Sequence, residues 1–207
     1  MGEPRQIEKT VQLLVEGKDA ERFMVAFLKH EGVDEIQVQN FGGIGELRGF
    51  LKALRALTSG WSGIQALGVL RDAEGSAGDA ERSVRDALAT VGIRGEPGGL
   101  SQNVLIVPPD EPRGMLETMC LKAVEEDPVM ECVASFLECV ERIPYEVRNP
   151  EKSRFHLFLS SRPEPGLLLG EAASRGYLNL GSSSYAALRA FVQQLQTEAV
   201  ERITGGG

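Results

Sequence analysis

Four short apolar runs, each separated from the next by an amphipathic helical pattern, constrain the fold of this chain most strongly. The runs cover residues 10–15, 35–39, 66–70 and 103–107. Strands that alternate with helices pair in parallel, because a parallel neighbour can be reached only through a crossover connection. We therefore predict an α/β fold, a Rossmann-like layered domain whose central, mostly parallel sheet has four strands between helices.

The helical patterns lie between these runs and after them. Apolar residues recur at helical spacing within residues 19–30, 44–57 and 79–91. The run at residues 35–39 alternates with period two, which is typical of an edge strand. Beyond residue 112 the strand pattern fades, and helices are predicted at residues 115–126, 128–142 and 185–203.

These patterns divide the chain into four parts. Residues 1–9 are predicted to be an N-terminal extension, 10–126 the α/β domain, 127–203 a mainly helical C-terminal extension packed on it, and 204–207 a disordered tail. With 207 residues, of which 42% are hydrophobic, the chain has enough material for one such core.

Composition excludes several classes of protein. A net charge of −8 argues against a protein that holds a polyanion by overall charge. It leaves room for a nuclease with a local basic groove or a bound metal. No run reaches the length of a membrane span, and no apolar signal core opens the chain, so we expect a cytoplasmic protein that does not enter a membrane.

The three cysteines are Cys120, Cys132 and Cys139, all in predicted helices, and the last two share a helical face. We expect them to be small buried hydrophobes in a reducing compartment. The chain has two histidines and no pair of cysteines two residues apart, so a zinc site is not expected.

Acidic residues follow two of the apolar runs. Glu16 comes directly after the first run, and Asp72 and Glu74 come after the third. The carboxyl ends of parallel strands meet at one edge, where such folds bind ligands. Two carboxylates about 4 Å apart repel by about 4 kcal/mol at an effective dielectric of about 20, which a cation relieves. Oxygen ligands suit Mg²⁺. Each acid taken alone is equally consistent with a solvated charge at a strand end.

A glycine-rich turn follows the second run. Gly42 and Gly43 precede a helix, where free backbone amides could meet a phosphate, although a tight turn explains them as well. The segment is not a dinucleotide-binding fingerprint, because Arg48 stands at the third glycine position. A G-x-S-x-G elbow and a P-loop are absent. A receiver domain is disfavoured because Pro108 and Pro109 follow the fourth run, where a Ser or Thr is needed.

Three segments carry a resemblance to a known family. Leu14-Val15-Glu16-Gly17-Lys18-Asp19, Asn40-Phe41-Gly42-Gly43 and Leu70-Arg71-Asp72-Ala73-Glu74 resemble the Toprim domain shared by topoisomerases, bacterial primases and OLD-family nucleases. The resemblance covers residues 10–125 in order and spacing. It is closest to small stand-alone Toprim-like proteins of unknown function related to the OLD family.

The resemblance implies roles for individual residues. Glu16 would be a metal ligand or general acid/base, Asp72 a catalytic metal ligand, and Glu74 a metal ligand that stands where Asp is usual. Glu117 would be a further ligand, or an acid favourable in a first helical turn. Lys152 is the nearest candidate for the late lysine with which OLD-type relatives stabilise a developing charge.

The function implied is Mg²⁺-dependent phosphodiester chemistry on nucleic acid, as a Toprim-type endonuclease, with Mn²⁺ as a substitute cation. Lys18 or Arg71 would contact phosphate, or would be surface charges. The alternative is a non-catalytic module that binds Mg²⁺ and phosphate and acts with a partner, an ATPase or another protein. A homodimer is a further expectation, because small soluble domains commonly pair. The sequence leaves open whether the chain is an enzyme.

Overall fold

The computed structural model describes residues 2–57, 59–93, 100–144 and 147–205. Four strands form one sheet in the order β2–β1–β3–β4, and every neighbouring pair is parallel. The strands are β1 (Val11–Val15), β2 (Ile36–Asn40), β3 (Ala66–Asp72) and β4 (Ser101–Val107). The predicted α/β class, the parallel four-stranded sheet and the edge position of β2 are confirmed.

Helices connect the strands and continue after the last one. The first three are α1 (Gly17–His30), α2 (Leu47–Leu57) and α3 (Ala77–Thr90). The others are α4 (Leu116–Ala123), α5 (Val129–Val140), α6 (Pro150–Ser160), α7 (Leu169–Ser174) and α8 (Ala186–Gly205). None of the described helices is long and apolar enough to span a bilayer.

The sheet separates two hydrophobic clusters, because successive side chains of a strand point to opposite faces. On β1, Leu13 faces the larger cluster and Leu14 the smaller one. Helices α2 and α3 cover the smaller cluster, and α1 with the C-terminal helices covers the larger. The molecule is therefore built of three layers, with the sheet in the middle.

The C-terminal helices belong to the same core as the sheet. Helix α8 packs against β1, β3 and β4. It approaches β3 at Gly68, where a Cβ atom would lie 2.7 Å from Leu195 and 3.0 Å from Phe191. A larger residue in this strand would push α8 away. The segment after residue 126 is thus an integral layer of the fold.

The structure differs from the sequence-based expectations at several places. Strand β3 is two residues longer and includes Asp72, which pairs with Val107. Cys120 is buried, but Cys132 and Cys139 are exposed, because they lie on the outer face of α5. Helix α8 continues to Gly205, so the first half of the predicted tail is helical; residues 206 and 207 lie outside the described part of the chain.

Close packing of α7 on α1 gives a test of the fold. At Gly170, the second residue of α7, a Cβ atom would lie 2.3 Å from the Cβ of Arg22 and 2.8 Å from the carbonyl oxygen of Asp19. Because neither atom can move cheaply, we expect Gly170→Ala to lower the free energy of unfolding by about 2–3 kcal/mol, measured by urea denaturation.

Gly78→Ala is the matched control. Gly78 is also the second residue of its helix, α3, and nothing lies within 4 Å of the position of its Cβ atom. That change should be neutral or stabilise by up to about 1 kcal/mol. Equal effects of the two changes would contradict the close approach of α7 to α1.

Candidate carboxylate site

Two of the predicted acids lie beside each other at the carboxyl edge of the sheet. Glu16 directly follows β1 and is the N-cap residue of α1. Asp72 is the last residue of β3, which pairs with β1 in a register that joins Val15 to Leu70. Asp72 is therefore held by backbone pairing with β4, and Glu16 is the first residue after an inner strand, as the alternation of strands and helices predicts.

Asp72 is the central residue of this edge. Its Oδ1 accepts a hydrogen bond of 2.8 Å from the amide of Leu116, at the start of α4. Burial raises the pKa of Asp72 to about 7, and the charges of Glu117, Glu16 and Glu74 add to the rise. Since a carboxyl among carboxylates keeps its proton, Asp72 changes its charge near neutral pH.

Glu74 shapes the site mainly through its backbone. Its amide donates to the carbonyl oxygen of Gly114 at 2.7 Å, and the Gly114 amide returns a bond of 2.9 Å to the Glu74 oxygen. Gly114 has a φ of +130°, which a residue with a side chain rarely adopts. This short antiparallel bridge places the first turn of α4, with Glu117, beside the end of β3.

Glu16 lies against an internal cation. The Nε atom of Arg71 is 3.4 Å from Oε2 of Glu16, and only 7% of Arg71 is exposed. The guanidinium also donates to the carbonyl oxygen of Ala80 in α3 at 3.0 Å. Arg71 is therefore neither a surface charge nor an exposed phosphate contact; it is a buried counter-ion of Glu16.

Glu117 and Lys152 meet at the same edge. Lys152 Nζ lies 3.6 Å from Oε1 of Glu117, whose side chain is only 12% exposed. A second contact also joins α4 and α6. The hydroxyl of Thr118, in α4, donates to a carboxylate oxygen of Glu151, in α6, at 2.5 Å. The packing of α4 against α6 thus brings the predicted lysine to the predicted acids.

The glycine turn is also at the carboxyl edge, after β2 on the other side of β1. Gly42 has a φ of +84°, so this residue makes the tight turn. The amide of Gly43 donates to Oε2 of Glu46 at 3.0 Å. The Glu46 carboxylate therefore already accepts the hydrogen bond that the Gly43 amide could have donated to a phosphate.

Asp19, which follows Glu16 by three residues, has a structural contact that the sequence does not indicate. Its two carboxylate oxygens accept from the amides of Gly170 and Leu169, at 2.9 and 3.1 Å. These amides open α7, so Asp19 neutralises the positive end of a helix that lies far away in sequence. No local pattern could have identified a contact across some 150 residues.

The donor set at this edge consists of carboxylate oxygens, which suit Mg²⁺ or Mn²⁺ in kind. In residues 2–57, 59–93, 100–144 and 147–205, no three His, Cys, Asp or Glu side chains form a group that could hold a metal ion. Glu16 faces Arg71 and Glu117 faces Lys152. A cation would have to draw these two side chains toward Asp72.

Fold and site together define an α/β protein with a parallel sheet and an acidic carboxyl edge. The chain belongs to the DUF3226 family, described as a protein of unknown function, whose model matches residues 10–197. Neither the curated proteins nor the solved structures gave a match to the chain. The family match extends into α8 as far as residue 197, in agreement with the place of this helix in the core.

The raised pKa of Asp72 makes stability depend on pH. Below about pH 4 the carboxyl is protonated in both states and has no effect. Between about pH 4 and pH 7 the unfolded chain loses the proton and the folded chain keeps it, so stability falls as pH rises. Above pH 7 the carboxyl is ionised in both states, and its surroundings then lower the free energy of unfolding by at most about 4 kcal/mol.

Asp72→Asn should remove this dependence, because the amide oxygen can still accept from Leu116 and no charge remains. We expect the variant to be more stable than the natural chain at pH 8 and nearly equal to it at pH 4, measured by denaturant unfolding at a series of pH values. Glu201→Gln, an exposed acid on α8, should leave the pH profile unchanged. A variant whose profile parallels that of the natural chain would show that Asp72 is not the group responsible.

Proposed function

We propose that this chain carries out Mg²⁺-dependent phosphodiester chemistry on nucleic acid, as an endonuclease, at the carboxyl edge of its sheet. The observation that carries the proposal is the meeting of Asp72, Glu16 and Glu117, which come from β3, the end of β1 and α4. Half-buried acids placed close together are costly to the fold unless they serve a ligand. An edge of this kind is where parallel α/β sheets bind their ligands.

The residues would divide the work as follows. Asp72, together with Glu16, Glu74 and Glu117, would hold the cation, and Glu16 would also serve as general acid or base. When bound, Mg²⁺ or Mn²⁺ supplies an activated water and neutralises charge on the phosphate. The raised pKa of Asp72 means that its proton has to leave before it can bind a cation.

Lys152 and Arg71 have different tasks in this proposal. Arg71 is buried and holds Glu16 at this edge through its contact at 3.4 Å until a cation draws the carboxylate toward Asp72, so it is a positioning residue. The Lys152 side chain is 54% exposed and can leave Glu117 when a cation takes that carboxylate. Its ammonium would then neutralise charge that develops on the phosphate.

A groove beside α3 contains two arginines that could contact phosphate in this proposal. It has a volume of about 400 Å³ and runs along α3, beside the start of α2. Arg48 and Arg82 line it together with Asp79 and Asp86. Asp79 pairs with Arg82 at 3.2 Å on an exposed surface, so the pair is weak and can open. The two arginines would offer phosphate contacts to a nucleic-acid strand that reaches the acids of the site, although Asp79 and Asp86 leave the groove without a net positive charge.

The test is nicking of supercoiled DNA, and cleavage of labelled single strands and RNA, with Mg²⁺ or Mn²⁺. We expect Asp72→Asn and Glu16→Gln each to lower the rate by about 100-fold or more, because each removes a ligand or proton acceptor. Glu201→Gln changes an exposed residue of α8 outside the proposed site, so this variant should cleave at the natural rate. Cleavage that survives both site changes would show that the activity lies elsewhere.

The second candidate is a regulatory module that binds Mg²⁺ and phosphate without turnover and acts with a partner, an ATPase or another protein. Two observations support this candidate. Glu16 lies against Arg71 and Glu117 against Lys152, and the Gly43 amide already donates to Glu46. A binding module tolerates such internal partners, whereas fast turnover needs them displaced.

Thermal unfolding distinguishes the two candidates. At an Mg²⁺ concentration 100-fold above the dissociation constant, binding to the folded state adds about 2.7 kcal/mol to stability. A rise in melting temperature that disappears in Asp72→Asn, without cleavage of any nucleic acid, supports the binding module. Cleavage that disappears in the same variant supports the nuclease.

A further inference from the structure

Strand β2 is one edge of the four-stranded sheet, with β1 as its neighbour. The amide of Phe41, directly after β2, donates to the carbonyl oxygen of Val15 in β1. Successive residues of a strand turn their N–H and C=O groups to opposite sides, so those of Ile36, Val38 and Asn40 point away from the sheet. An outward row of this kind pairs with a strand of another molecule unless something covers it.

The segment before β1 lies along this outward row. It comprises residues 2–9, and we name it the N-terminal strap. At one end, a Cβ atom on Gly2 would overlap the carbonyl oxygen of Asn40. At the other end, the Lys9 side chain contacts the backbone of Asp34 and Ile36. The strap therefore follows β2 over its whole length, in the opposite direction, before the chain enters β1.

Two cations of the strap bind carbonyl groups of the outward row. The guanidinium of Arg5 donates to the carbonyl oxygen of Val38. The ammonium of Lys9 donates to the carbonyl oxygen of Ile36 at 3.4 Å, and to that of Asp34 just before the strand. Because these donors are side chains, they cover the row without adding a strand whose own outer edge would be open.

The glutamines of β2 bind the backbone of the strap. The amide of Arg5 donates to Gln39 at 2.7 Å, and the amide of Glu8 donates to Gln37 at 2.8 Å. Gln37 also donates to the carbonyl oxygen of Gln6 at 2.8 Å. Gln39 is only 1% exposed, and a buried amide side chain needs such partners. The alternation that predicts an edge strand thus also supplies the residues that bind its cover.

Most of the strap nevertheless lies at the surface. Arg5 and Lys9 are exposed, and the ion pair of Arg5 with Glu21, at 2.6 Å, leaves 59% of the arginine side chain in solvent. Ile7 packs against the smaller hydrophobic cluster and is itself only half-buried. Polar contacts at the surface therefore supply much of what holds the strap, and they can exchange for contacts with water.

We propose that the N-terminal strap is a built-in cover of the β2 edge, that Arg5 and Lys9 hold it in place, and that it keeps this chain from adding a strand of another molecule. In a solution of the purified chain, the strand available to replace it is β2 of a second copy. Antiparallel pairing centred on Val38 would match the outward groups of Ile36 in each copy with those of Asn40 in the other.

Analytical ultracentrifugation over micromolar to submillimolar concentrations tests the cover. The variant carries Arg5→Met and Lys9→Met, because methionine keeps much of the side-chain length and removes the donors. This variant should gain a concentration-dependent association that the natural chain lacks. An unchanged association state would overturn the proposal.

The matched control carries Arg85→Met and Lys52→Met, which change the net charge equally. The Arg85 side chain is 57% exposed and pairs with Glu81 at 2.6 Å, much as Arg5 pairs with Glu21, and Lys52 is exposed on α2. The control should associate no more than the natural chain. Equal association of control and variant would show that lost charge, and not an uncovered edge, is the cause.

Hydrogen exchange at a concentration too low for association measures the strap itself. In the Arg5→Met and Lys9→Met variant, the amides of residues 5 and 8 should exchange about tenfold faster or more than in the natural chain, because the strap opens more often. A strap that opens without later association would show that it is no cover. A strap that stays closed would show that the two cations do not hold it.

Proline at the outward row tests which edge associates. The N–H of Val38 points away from β1, so Val38→Pro keeps the bonds between β1 and β2 and removes a donor that an added strand needs. Introduced into the Arg5→Met and Lys9→Met variant, it should restore the association state of the natural chain. If Val38→Pro does not fold, Asn40→Pro makes the same test at the half-buried last residue of β2. Association that persists in a folded proline variant would overturn the proposal.

Discussion

The position of Asp72, half-buried among other carboxylates, is the constraint on which the rest of the site depends. Strand pairing on both sides fixes its backbone, since β3 lies between β1 and β4. Burial and the charges of Glu117, Glu16 and Glu74 raise its pKa to about 7. A carboxyl in such a place has to keep a proton or gain a cation, and the surrounding chain is arranged around that requirement.

The C-terminal helices supply much of this arrangement. Helix α6 brings Lys152 to Glu117, and the amides at the start of α7 neutralise Asp19 close to the acidic edge. Helix α8 covers β3 at Gly68. Glu16 and Asp72 lie at the ends of strands in the first half of the chain, but Glu117, Lys152 and the helices that cover the site come from the second half. The site is a property of the whole fold, in agreement with a family match over residues 10–197.

Periodicity in the sequence was sufficient to predict the parallel sheet, the edge position of β2 and the closeness of Glu16 to Asp72. It could not indicate that Arg71 is buried against Glu16, since that depends on where β3 ends. The contact of Lys152 with Glu117 depends on the packing of α4 against α6. The exposure of Cys132 and Cys139 was missed because α5 is apolar on two sides, and periodicity does not say which side faces the core.

The central claim is that the acids at the carboxyl edge bind a divalent cation. A crystal grown with Mn²⁺ at pH 8, where Asp72 is ionised, tests it most directly through anomalous scattering. We predict a single strong peak bound by Asp72 with Glu16 or Glu117, and a Glu16 side chain that has turned away from Arg71. An edge without a peak, with the pairs Glu16–Arg71 and Glu117–Lys152 intact, would contradict the account.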